Sequence, residues 1–471
     1  MPVAFWPPFS IFEVGWLFAM TCFGVERMFV IRWLARANPG ATIEGKIMQT
    51  SKVVKLGAVI AVFLLAGLSL TNLAEAASQE QIIHAFQSNG DGEFPTPDLL
   101  ADAAGNLYGT TAGGGAYRLG TVFELSPSGG GWTEQILYSF QGGSDGDTPS
   151  SGLIADASGN LYGETLDGAN LAGTVFELSL SEGGWTKTTL YSFVGPTTGM
   201  NPYGGLALDG NGNLYGTTQS GGVPADLGTV FELSPAGGGN WTEKVIFAFG
   251  NKRDGGDPVA GPILAPDGRL FGTTSAGYGA AGTIYELIAE PHGKWREVVL
   301  HRFTQGKDGG NPSGRLLLDA AGNLYGTAQL GGSTKNQTDC SFGCGTVYEL
   351  TPKGTGFRFS VICSFEGGQD GEQPDGTLVM GSTGVLYGTT DEGGGNGCES
   401  GYGCGTVFEL SSQAQGDQTV WSEAVLHRFI ENGVDGINPQ GGLIPDAQGN
   451  WYGTTIGGGS SGNGTVFELT P

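Results

Sequence analysis

The sequence is poor in positive charge. It carries 21 Lys and Arg against 46 Asp and Glu, a formal net charge of −25. A surface that acidic repels phosphate backbones and anionic lipid, so nucleic-acid and membrane-surface partners are excluded. Histidine is scarce, at four residues, and no two are spaced as zinc ligands usually are. No serine-nucleophile motif occurs. Runs such as Gly113-Gly114-Gly115 lack the Lys or the helix that a phosphate-binding loop requires. EF-hand and nonapeptide calcium patterns are missing too. After Ala77 no segment shows a 3.6-residue hydrophobic period, which excludes a helical domain.

What is abundant is glycine, 88 residues with 22 prolines, and it falls at recurring positions. The stretch from Gly105 to Leu125 sets the pattern. Its first half, Gly-Asn-Leu-Tyr-Gly-Thr-Thr, returns with small changes at Gly159, Gly212, Gly268, Gly322, Gly384 and Gly449. Its second half, Gly-Thr-Val-Phe-Glu-Leu, returns at Gly173, Gly228, Gly282, Gly345, Gly405 and Gly464. Around these lie two further apolar runs, such as Gly152–Asp156 and Trp185–Phe193. Each run is short, rich in β-branched and aromatic residues, and bounded by turn chemistry. Four short strands, A to D, repeated seven times predict an all-β fold, a seven-bladed β-propeller with four antiparallel strands per blade. The period is close to the ~50 residues of kelch blades and longer than the ~40–45 of WD40.

Strand D occurs only six times after the first GNLYGTT unit, starting at Trp132, Trp185, Trp241, Trp295, Phe357 and Trp421. The missing copy lies at the other end. Gln81–Phe86 matches the tail of Gln135–Phe140, so the N-terminal strand is expected to complete the last blade and close the ring. Closure removes the open sheet edges that invite aggregation.

Ahead of the repeats, Lys52 and Lys55 precede an apolar run, Leu56–Leu70, and an Ala74-Glu75-Ala76 site. This is the layout of a secretory signal peptide. Residues 48–76 are therefore expected to be the signal, starting at Met48. Residues 1–47 match no repeat and are read as an extension from a gene-start error, and residues 77–471 as the propeller. No membrane span is expected in the mature chain.

The units GNLYGTT, GTVFEL and WTE-LYSF resemble the GloVer repeat of choice-of-anchor tandem-repeat proteins, over essentially all of residues 81–471. The resemblance implies an exported bacterial protein and no particular activity.

Antiparallel alternation puts the D–A and B–C connections on one face. The D–A loops carry Asp91, Asp145, Asp254, Asp308, Asp370 and Asp435, with Thr198 in the third copy. These aspartates are ligand-binding candidates, with calcium considered at Asp145 and Asp147 because hard oxygen ligands suit it. The competing reading is that each Asp caps the turn ahead of the proline that follows. The strand-C glutamates, present in all seven copies, read as blade-building residues. Glu164 differs: it replaces the first Thr of GNLYGTT in one copy only, with Asp167 three residues on. That pair is the catalytic candidate. Cys340 and Cys344, and Cys398 and Cys404, occupy equivalent B–C loops and are expected as two disulfides; Cys363 is expected as a free buried thiol.

The expected function is an exported binding or scaffold protein, secreted, periplasmic or at the cell surface. It would be a monomer engaging glycan, peptide or envelope protein through the loop face. The alternative is an extracellular sugar- or lactone-directed hydrolase or lyase with an acidic site on the propeller face. No cofactor is expected apart from calcium.

Overall fold

The computed structural model describes residues 78–470 apart from short loop segments at 89, 169–170, 251–253, 278–280, 333–339, 396, 399–400 and 417. The expected signal and extension lie outside the described residues. Among the described residues there is no helix long and apolar enough to cross a membrane.

Seven antiparallel sheets form the ring of a seven-bladed propeller. In blade 1, strand B is Leu107–Gly114, strand C Thr121–Ser128 and strand D Gly131–Ser139. Strand A departs from expectation. It comes in two pieces, Gly92–Pro95 and Leu100–Ala101, both paired with strand B. The same break recurs in blades 2, 3 and 6. Its cause is a proline that follows a left-handed residue. Phe94, Thr148, Asn201, Asp257, Asn311, Gln373 and Asn438 all have φ between 54° and 59°, a conformation that costs L-residues about 1 kcal/mol.

The strain is matched by a joint between blades. The N–H of each left-handed residue donates to a carbonyl of the preceding blade, as in Thr148 to Leu119 and Asn201 to Ala172. The proline behind it packs on the glycine that opens strand C of that blade. A Cβ on Gly120 would lie 2.4 Å from Pro149, and one on Gly173 2.3 Å from Pro202. The glycine of GTVFEL is therefore a contact requirement, not a flexible point. Seven hydrophobic clusters fill the junctions, one per pair of neighbouring blades; Val122, Leu137 and Phe140 of blade 1, for example, meet Leu153, Leu161 and Phe176 of blade 2.

The ring closes as expected. Gln79–Ala85 pairs with Thr465–Thr470 as the outer strand of blade 7. The closure uses the seventh copy of the joint: Phe94 N–H donates to Asn463 O at 2.8 Å, and Pro95 packs on Gly464. Phe86, fully buried, anchors the seam against Phe123.

Candidate functional site

Three polar devices recur in most blades, although in blade 4 the Thr273 hydroxyl of the first device has no partner. The first Thr of GNLYGTT donates to a strand-A carbonyl of the next blade, as Thr110 does to Ser151 O at 2.8 Å and Thr389 to Gly441 O at 2.8 Å. The second Thr faces the Thr of strand C, as in Thr111 and Thr121 at 2.8 Å. The strand-C glutamate accepts from the repeat tyrosine, as Glu124 does from Tyr108 at 3.3 Å. In blade 4 Phe271 replaces that tyrosine, and Arg269 takes over, bridging Asp267 and Glu286 at 2.7 and 2.6 Å. These residues build blades.

The six loop aspartates sit in a repeated turn. Asp91 Oδ2 accepts from Gln87 N, Asp145 from Gln141 N, Asp308 from Thr304 N and Asp370 from Glu366 N. Asp254 and Asp435 accept from Gly250 and Ile430. In the third copy the Thr198 hydroxyl accepts from Val194 N, doing the same with a neutral group. Asp145 is further engaged by Tyr138 at 2.8 Å and by the Lys187 ammonium at 3.0 Å. Asp147 pairs in register with Asp167 on strand B, and burial, followed by the Asp167 charge, raises its pKa. Both expected cystine pairs are formed, Cys340–Cys344 and Cys398–Cys404. Cys363 is free but half-buried rather than buried, and burial pushes its thiol up to about 12.

Glu164 is not beside a variable loop. It is wholly buried between blades 2 and 3, where it inverts the strap of the other copies. Instead of a hydroxyl donating to a carbonyl, its carboxylate accepts from Gly205 N at 3.0 Å and from Ser151 Oγ at 3.3 Å. Burial pushes its pKa up to about 7, while those two donors and the Arg315 charge oppose the rise.

Arg315 leads to the centre of the ring. It stands just ahead of the strand-A piece Leu317–Leu318 of blade 5, and its guanidinium donates to Leu206 O of blade 3 and Pro262 O of blade 4, both at 3.1 Å. Burial lowers its pKa, and the charges of Asp98 and Glu164 oppose that. Asp98, left-handed at φ 68°, ties blade 1 to blades 6 and 7 through Thr377 Oγ1 at 3.4 Å and Gly442 N at 2.8 Å. Between them lies a polar cavity of about 360 Å³ at the strand-A ends, to which every blade contributes. Asp98, Asp257 and Asp375 line it with Arg315, Tyr203, Gln219, Gln329, Asn311 and Gln440. Burial raises the pKa of Asp375, against hydrogen bonds from Ser313 and Gln329. Asp391 is pushed up to about 7, first by burial and then by the Asp375 charge.

Sequence reasoning missed this constellation. Its signal was present at one column, the third residue after the repeat proline. Blades 2, 3, 4 and 7 have glycine there, at Gly152, Gly205, Gly261 and Gly442, whereas Asp98, Arg315 and Thr377 stand in the others. The arrangement offers carboxylate acceptors, amide donors and one guanidinium in a confined, water-accessible space. Three carboxylates against one cation disfavour an anionic occupant. Two of its serines meet carboxylates, Ser151 at Glu164 and Ser313 at Asp375, and among the described residues no histidine or cysteine lines it.

The model of the Gloeobacter/Verrucomicrobia repeat matches residues 69–250, 225–397 and 337–471. No curated protein matches the sequence. Similar solved structures include the extracellular domain of a putative hybrid two-component system from B. thetaiotaomicron, at 12% identity and a TM-score of 0.49. That match covers 83% of this chain and 40% of the other, so the chain spans well under half of that protein's solved length. A putative oxidoreductase (glucose dehydrogenase) from Thermus thermophilus is 16% identical over 68% of this chain and 96% of its own, with a TM-score of 0.41. A protein of unknown function from Dyadobacter fermentans is 11% identical over 84% and 99%, with a TM-score of 0.38. At these identities the likeness is no guide to activity.

Proposed function

The chain belongs to the Gloeobacter/Verrucomicrobia repeat family, and from that premise we propose an exported binding protein whose ligand seats at the mouth of the central channel. One observation carries the reading: the non-repeating polar residues collect in one cavity. Repetition is enough to build blades, so side chains that break the repeat at a shared cavity serve something else. The ligand class that suits carboxylates, amides and one tyrosine is a neutral polyhydroxylated molecule, such as the end of a glycan. Export is supported by the two disulfides, which persist in oxidising compartments.

A second reading, an enzyme on a sugar or lactone, is favoured by Asp391, which meets the cavity residue Gln440 at 3.3 Å and whose pKa burial pushes up to about 7. A glycan panel read by calorimetry, with product analysis on every binder, separates the two. Binding without turnover, weakened at least tenfold by Asp375→Asn or Tyr203→Phe, supports the binding module. Turnover lost on Asp391→Asn supports the enzyme. Binding indifferent to all three substitutions would move the ligand elsewhere on the propeller.

A further inference from the structure

At the edge of the sheets opposite the channel, each blade junction brings together three side chains. Counting strand D from its tryptophan position (Trp132 in blade 1, Ser78 in blade 7), one is its seventh residue, one is the loop Asp that follows (Thr198 in the third copy), and one is the third residue of strand D in the next blade. The triplets at the closing seam are His84, Asp91 and Glu134 on one side, and His427, Asp435 and Glu80 on the other. In each, one imidazole nitrogen and two carboxylate oxygens lie within 4.8 Å of one another.

We propose that these two triplets are paired transition-metal sites, of the zinc class, that clip the ring-closing strand to its neighbours.

Four observations carry this. The first is distance. His84 Nε2 stands 3.4 Å from Asp91 Oδ2 and 3.8 Å from Glu134 Oε1, and His427 Nε2 stands 3.6 Å from Asp435 Oδ2. Two metal–ligand bonds of about 2.1 Å at a tetrahedral angle place their ligand atoms about 3.4 Å apart. The second is the state of the atoms. His84 Nε2 and His427 Nε2 are out of contact with solvent and make no well-aligned hydrogen bond, and the same holds for Glu134 Oε1 and Glu80 Oε1, as it does for the equivalent Glu243, Glu297 and Glu423; at the two seam junctions a cation would complete acid and imidazole together. The third is what the same position holds at the junction of blades 1 and 2. There Lys187 replaces the glutamate and brings its ammonium onto Asp145, 3.0 Å from Oδ1 and in contact with the backbone oxygen. The fold thus supplies its own cation where no histidine is present. The fourth is the junction of blades 4 and 5, where His301 and Asp308 are 3.2 Å apart but Phe359 takes the glutamate's place. Its ring stacks on His301 at 3.7 Å. That junction lacks a third ligand and is a built-in control.

The imidazole ligand selects a borderline transition metal over calcium, which prefers all-oxygen sites. Both sites draw on the closing strand, Gln79–Ala85, through Glu80 and His84. One reaches forward to blade 1 and the other back to blade 6, so two ions would hold both flanks of the seam.

The test is calorimetric titration of Zn²⁺ into the chelator-treated, folded protein, with thermal melting alongside. Variants His84→Tyr and His427→Tyr install the residue that strand D carries at Tyr138 and Tyr191, which preserves the fold. The expected result is two equivalents for the native chain, one for each single variant, none for the double variant and two for His301→Tyr. Zn²⁺ should raise the melting temperature by several degrees in the native chain and in His301→Tyr, by less in each single variant, and not at all in the double variant. No binding at 100-fold excess of Zn²⁺ over protein, or a stoichiometry unchanged in the double variant, overturns the proposal. Binding lost equally in His301→Tyr overturns it too.

Discussion

The rim and the channel of these blades handle buried charge in opposite ways. At the rim, acid meets acid. Glu134 lies against Asp91 and Glu423 against Asp370, and burial, followed by the neighbouring carboxylate, pushes both glutamates up to about 8. At the channel a base is supplied: Arg315 carries the charges of Asp98 and Glu164, and the acid-on-acid contact there is that of Asp391 with Asp375. The rim positions recur because the repeat dictates them, and each junction settles the resulting charge with whatever partner it has. The channel positions occur once each. Recurrent residues therefore report how a blade is joined, and solitary ones report what the ring is for.

The largest expected effect lies at the seam, where the rim depends on a strand from the far end of the chain. Truncating Phe86 to Ala should cost about 3–5 kcal/mol, because a buried aromatic leaves a cavity. Deleting residues 79–88 should abolish the cooperative melt altogether. An unchanged melting temperature in either variant would mean that blade 7 is stable without its outer strand, and that the closing joint is ornamental.

Next comes the charge pair at the channel. Arg315→Met leaves two carbonyls and Glu164 without their donor and counter-charge, and should cost about 2–4 kcal/mol in denaturant unfolding. Adding Glu164→Thr, which restores the residue found in the other six blades, should recover part of that loss. The rim counterpart, Lys187→Met, should cost only about 1 kcal/mol, since Asp145 retains Tyr138 and Gln141 N as donors. Equal costs at the two places would erase the distinction between them.

How much of this could be read from the chain is instructive. The blade count, the strand order and the closure were all legible, because each rests on a repeated string. The aspartate turns were legible as one of two readings, and the Thr198 hydroxyl shows the geometric reason: any short acceptor suffices there. Arg315, Asp375 and Tyr203 were not legible. Each is a single substitution in a glycine- and serine-rich segment, and nothing local marks it as facing the ring centre. Glu164 stood out in sequence, but its place did not. Burial against the next blade is set by the joint between left-handed residue and proline, which gives no hydrophobic signal. His84 and His427 carry no metal signal in the chain, because their carboxylate partners lie a loop and a blade away.

A smaller and more general effect is on pH. The rim glutamates Glu80, Glu243 and Glu297 are raised to about 7, each chiefly by burial, and Glu134 and Glu423 to about 8. A carboxyl whose folded pKa exceeds its unfolded value of about 4.3 binds its proton more tightly in the folded state. Its contribution is fully present below the unfolded pKa and is lost as pH rises through the folded one. The turn aspartates Asp102, Asp156, Asp209 and Asp446 work the other way: burial opposes their ionisation, but hydrogen bonds from Asn106, Asn160, Asn213 and Asn450 outweigh it. Their contribution is lost only as pH falls below about 4. In chelator, the melting temperature should therefore peak near pH 4 and fall by several degrees towards pH 8. Gln at all five rim glutamates should flatten that slope, whereas Glu164→Gln alone should change it little. A slope that survives the five substitutions would place the titrating groups at the channel.

The smallest effect tests the neutral ladder between the two regions. In six blades the second Thr of GNLYGTT meets the strand-C Thr, with hydroxyls 2.7–2.9 Å apart. In blade 5 that position is Ala328, and the buried Thr346 hydroxyl is left without a partner. Ala328→Thr should restore the pair at a site whose backbone already matches its sister blades, with Ala328 opposite Thr346 in the same register. One buried hydroxyl pair is worth about 0.5–1.5 kcal/mol, offset in part by fixing a β-branched rotamer. The expected gain is about 1 kcal/mol at either pH 5 or pH 8, because no charge is involved. A gain confined to one pH would tie the ladder to the ionisable groups on either side of it; a loss would mean that blade 5 packs Ala328 too tightly against its neighbour to accept the repeat residue.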